Sequence, residues 1–67
     1  MKATWVVRVI ERRGGRMIRQ RGSHRIYLTA GGCRTVVPMH AEDIAAGTLR
    51  QIVKDLEPCL GKGWLTS

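Results

Sequence analysis

Three glycine breaks, Gly14-Gly15, Gly22-Ser23 and Gly31-Gly32, fall inside residues 14–32 and divide that stretch into short runs. Such runs suit strands joined by turns. Residues 16–21 and 24–29 each read as a strand, with the hairpin turn at Arg21-Gly22-Ser23. Gly31-Gly32 then supplies the two positive-φ residues of a tight hairpin, and residues 33–37 form a third strand that Pro38 stops. The outcome is an antiparallel meander of three strands. In the second strand Ile26 and Leu28 share one face and Arg25, Tyr27 and Thr29 the other, because successive side chains alternate. His24 has the parity of Ile26 and Leu28, which predicts that it lies at the margin of the core.

The flanks of the meander carry a helix period. Trp5, Val6, Val9 and Ile10 recur at i, i+1, i+4 and i+5 with Arg8, Glu11 and Arg12 opposite, predicting a helix over 4–13 that Gly14-Gly15 ends. After a connection over 39–46, Thr48 and Gln51 have the spacing of a capping box. Leu49, Ile52, Val53, Leu56 and Leu60 form an apolar stripe behind it. Pro58 disfavours a helical residue before it, so this second helix is expected to reach Glu57. The resulting order, α-β-β-β-α, is an α+β fold with two helices on one face of a three-stranded antiparallel sheet, the order of double-stranded-RNA-binding domains. With 67 residues there is space for a single domain, 1–67, with a core of about 4–57 and a Gly-rich tail over 58–67 where Trp64 and Leu65 could dock.

Charge is distributed unevenly. Residues 1–40 hold Lys2 and eight arginines against Glu11 alone, a net +8, whereas residues 41–67 hold three cations and four carboxylates, a net −1. Arginine outnumbers lysine nine to three, and its planar fork suits bidentate contact with phosphate. A nucleic acid is therefore the leading partner class. No segment approaches the roughly 20 apolar residues of a membrane span, and the apolar start Trp5-Val6-Val7 is cut by Arg8, unlike a secretory signal. Cys33 and Cys59 have no recognisable framework or zinc-ligand spacing. Reduced thiols in a cytosol are the expectation.

Few residues can carry chemistry. Ser, His and Asp show no catalytic spacing, neither glycine pair is followed by Lys-Ser/Thr as a phosphate loop requires, and Glu42-Asp43 alone is a poor metal site. No cofactor is expected. What stays available is His24, His40, Ser23, Tyr27 and the arginines. An RNA strand brings its own nucleophile, the ribose 2′-hydroxyl, so a ribonuclease needs a base for that proton and cations for the charged phosphorane. His24 suits the base, and Arg19, Arg21 and Arg25 on one hairpin suit the phosphate. Ser23 and Tyr27 are further candidates for RNA contact, Tyr27 either stacking on a base or packing in the sheet. The acid that protonates the leaving group stays open among His40, Tyr27 and water. A non-catalytic RNA-binding module, or a basic face for an acidic protein, accounts for the same composition.

Three blocks together are more specific than composition. Arg21-Gly22-Ser23-His24, then Gly32-Cys33-Arg34-Thr35-Val36-Val37-Pro38-Met39-His40, then Gly47-Thr48-Leu49-Arg50-Gln51-Ile52 resemble the HicA toxins of type II toxin–antitoxin systems, in order and over roughly residues 4–57. The resemblance implies a cytoplasmic, metal-independent mRNA interferase whose catalytic histidine maps onto His24. It also implies a HicB-type antitoxin that masks the histidine in a hetero-oligomer. Two departures stand out: Gly15-Arg16 replaces an aromatic residue frequent after the first helix, and the tail after Leu56 is long.

Overall fold

A computed structural model describes residues 1–40 and 42–66. The elements run α1 (Ala3–Arg12), β1 (Arg16–Arg21), β2 (His24–Leu28), β3 (Arg34–Pro38) and α2 (Ala46–Leu60), the expected α-β-β-β-α order. The sheet is antiparallel in the order β1-β2-β3, and both helices cover the same face.

α1 ends as its glycines predict. Gly14 takes a φ of +90°, its N–H bonds Glu11 O, and the N–H of Gly15 reaches back to Ile10 O at 2.9 Å. This pair of bonds is the Schellman arrangement, which satisfies carbonyls that the helix end would leave bare. A Cβ on Gly15 would lie 2.4 Å from Ile10 Cγ2, so the frequent aromatic residue has no place here. The buried stripe is Ala3, Val6, Val7 and Ile10, spaced i, i+3, i+4, i+7. Trp5, expected in the core, is 42% exposed. The tail's Trp64 is buried instead, donating its Nε1–H to Val53 O at 3.0 Å, and Leu65 is buried beside it in the core cluster.

α2 departs from expectation at both ends. Its first ladder bond, Leu49 N–H to Ala45 O at 2.9 Å, starts the helix before Thr48, which therefore makes no cap. Gln51 donates to Asp55 Oδ1 at 2.8 Å and Asp55 Oδ2 accepts from Thr35 Oγ1 at 2.9 Å, tying α2 to β3. At the other end the helix passes through Pro58 to Leu60. A proline in the final turn forfeits one amide bond but has the right φ. The turn is held by the Gly61 N–H on Glu57 O at 2.8 Å and by a disulfide between Cys33 and Cys59. The cysteines are thus bonded and not the free thiols their wide spacing suggests; the fold brings together what 26 residues of sequence separate.

The sheet also reverses the expected inside and outside of β2. Tyr27 and Thr29 are buried against the helices with Thr35 and Val37, whereas Ile26 and Leu28 are half-buried and Val36 is 45% exposed. The side carrying His24, Ile26 and Leu28 is therefore the open face. A single covered face accepts the bulkiest side chain of the strand, Tyr27, and leaves the smaller aliphatic residues outside.

Candidate nucleic-acid interface

The open face is assembled by cross-strand pairing. Directly opposed residues of an antiparallel pair project to the same side, and the register opposes Arg21 to His24, Arg19 to Ile26 and Arg16 to Leu28. β3 adds Arg34 opposite Leu28, Val36 opposite Ile26 and Pro38 opposite His24. A bulge between Met17 and Arg19 keeps Arg19 and Arg21 on this side. The result is a row of exposed arginines, 16, 19, 21 and 34, beside an exposed His24. None of the four has a carboxylate partner among the described residues; an ion pair elsewhere joins the Met1 ammonium to Asp43, at 3.1 Å.

The Gly22-Ser23 turn sets the rim. Gly22 adopts φ +59°, a value that glycine takes without a Cβ penalty at the first position of a two-residue turn. Ser23 then makes two bonds to the segment after β3. Its carbonyl accepts the Met39 N–H at 2.7 Å, and its Oγ lies 2.9 Å from His40 Nδ1. Pro38 closes the strand just before, where its missing N–H costs nothing on an edge. The two histidines consequently meet edge to face, with ring centroids 5.8 Å apart. Both border an open groove of about 440 Å³ between β3 and the start of α2, with Val36, Pro38, Asp43 and Thr48.

Two expected site residues lie elsewhere. Tyr27 is fully buried, so it packs and offers no face to a base. Arg25 pairs with Gln20 and with the buried Val37, which directs it away from His24, and its Nε is buried without a hydrogen-bond partner. Arg16 and Arg34 join the row although the sequence reading does not single them out for RNA contact. Strand register is the signal that finds them, since each opposes Leu28 across the sheet.

The family model described as HicA toxin of bacterial toxin-antitoxin matches residues 5–57, a span that includes the arginine row, the Gly-Ser-His turn and His40. The chain belongs to the HicA toxin family. It is accordingly a toxin of a bacterial toxin–antitoxin system, and family membership implies an antitoxin partner. A search of curated proteins found no match. Among the described residues no helix is long and apolar enough to cross a membrane, and no three His, Cys, Asp or Glu side chains gather as a metal site.

Proposed function

We propose that this HicA toxin is an endoribonuclease that cleaves mRNA, with His24 as the base that takes the ribose 2′-hydroxyl proton. The freed 2′-oxygen attacks the adjacent phosphorus and the bond to the 5′-oxygen breaks, leaving a 2′,3′-cyclic phosphate and a 5′-hydroxyl. The observation that carries the reading is the position of His24 on an open sheet face between Arg21 and Pro38, in line with arginines that have no carboxylate partner among the described residues. Unpaired guanidinium groups suit the phosphate backbone and the charge that grows on the phosphorane. Arg19 and Arg21 hold the strand nearest the reacting phosphate, Arg16 and Arg34 extend the track, and Ser23 orders the turn.

The partner in this reading is a HicB-type antitoxin that covers the same face in a hetero-oligomer. Half-buried Ile26 and Leu28 and exposed Val36 give such a partner apolar surface to bury between the charges. The place of action is the cytoplasm, where mRNA is translated.

Purified protein and its His24→Ala variant, incubated with RNA in excess chelator, test the reading. Wild type is expected to cut, and the variant to lose about 10²- to 10⁴-fold in rate, the usual contribution of a general base, while still binding RNA. Equal cutting by both proteins excludes His24 as the base. Salt-sensitive binding without cutting by either favours a non-catalytic RNA-binding module.

A further inference from the structure

We propose that His40 is a second catalytic group, the acid that delivers a proton to the departing 5′-oxygen, and that Ser23 positions it. The proposal rests on the nuclease reading above and completes its proton balance. His24 removes one proton from the 2′-hydroxyl, the 2′-O–P bond forms, the P–O5′ bond breaks, and the 5′-oxygen takes a proton from the His40 imidazolium. Exchange with water then restores both rings.

Three observations carry it. The rings of His24 and His40 stand 5.8 Å apart and border the same groove. Each imidazole nitrogen reaches about 2.6–3.2 Å to the oxygen it serves, so a phosphate lying across the pair has one ring beside each apical oxygen. Second, Ser23 Oγ holds His40 Nδ1 at 2.9 Å, which leaves Nε2 as the ring nitrogen for the proton transfer. A hydroxyl both donates and accepts. It therefore accepts from Nδ1–H while the ring is cationic and goes on accepting from it after Nε2 has given its proton to the 5′-oxygen. The ring keeps its orientation through the transfer. Third, the turn that presents Ser23 is tied by its carbonyl to Met39 at 2.7 Å, so the residue before His24 and the residue before His40 are joined directly. Tyr27, the other side chain that the sequence offers as the acid, is sealed in the core.

A change of leaving group separates an acid from a structural residue. RNA with a single 5′-bridging sulfur at the cleavage site departs as a thiolate and needs no proton. On ordinary RNA, His40→Ala is expected to lose about 10²- to 10⁴-fold, and on the sulfur-bridged RNA to fall within about tenfold of wild type. His40→Gln, which retains a side-chain amide for Ser23, is expected to behave the same way and guards against an effect of altered folding. His24→Ala stays slow on both substrates. Ser23→Ala shows a smaller loss, on ordinary RNA alone. The proposal falls, and the nuclease reading stands, if His24→Ala is slow while His40→Ala and His40→Gln cut ordinary RNA at the wild-type rate or are slowed equally on both substrates. Should His24→Ala cut as well as wild type, the nuclease reading itself falls, and this proposal falls with it.

Discussion

The two ends of β2 are built from similar parts and put them to different uses. Each end is a glycine-bearing loop with a hydroxyl residue beside the strand. At the Leu28 end, Thr29 is buried, its Oγ1 accepts the Cys33 N–H at 3.1 Å, and its own N–H bonds Cys33 O at 2.9 Å. Cys33 is in turn bonded to Cys59 of α2, and a Cβ on Gly31 would come within 2.8 Å of Cys59 Sγ. At the His24 end, Ser23 spends its hydroxyl on another side chain, the exposed His40. One end is closed by backbone bonds, a covalent link and tight packing; the other leaves imidazoles and guanidinium groups facing water. Internal fastening and exposed polar groups are thereby separated along a strand of five residues.

That separation can be broken experimentally. The largest effect is expected from Cys59→Ser: releasing a link across 26 residues removes a constraint on the unfolded chain worth about 3.5 kcal/mol. The midpoint of urea unfolding should fall accordingly, and cleavage of RNA by the folded fraction should not change. A loss of cleavage in protein that remains folded would show the two ends to be coupled. The same variant reproduces what a reducing cytosol would do to the wild type. A smaller effect belongs to Arg34→Gln on the open face. It should weaken RNA binding for any sequence and lower the slope of log affinity against log salt by about 0.7, the contribution of one contact to single-stranded phosphate. An unchanged slope would remove Arg34 from the phosphate track. The smallest is Tyr27→Phe. The buried hydroxyl has no partner among the described residues, so its removal should leave the melting temperature unchanged or slightly raised. A drop of more than about 1 kcal/mol would mean that the hydroxyl is bonded after all.

Much of this was legible in the sequence, and what was not has physical causes. The helix period of α1, its glycine stop and the Gly22-Ser23 turn depend on neighbours in the chain, and local rules identify them. The alternation in β2 was read correctly but assigned to the wrong side. Ile26 and Leu28 look like core residues, yet only one face of the sheet is covered, and that face holds Tyr27, Thr29, Thr35 and Val37. Apolar residues left on the open side are a local conflict of the kind that marks surfaces kept for function. Gly31-Gly32 suggested a two-residue turn. Only Gly32 has a positive φ, +88°, because Thr29 and Cys33 bond across a longer loop. The disulfide and the His24–His40 pair join positions far apart in sequence, and strand order together with register is needed to see either. Within the site, His24, Arg19, Arg21 and Ser23 lie together on the open side, Arg25 and Tyr27 turned inward, and Arg16 and Arg34 emerged only from the pairing.

The bulge in β1 has a consequence for how copies of this chain avoid one another. β1 is an edge strand exposed at every residue, with Met17 and Ile18 each more than two-fifths exposed. A flat apolar edge of this kind invites a strand from another molecule to add to the sheet. The irregular pairing between Met17 and Arg19 interrupts the flat template, and the arginines on either side charge it. The exposed arginines therefore act as gatekeepers against self-assembly, so neutralising them would open the edge to aggregation.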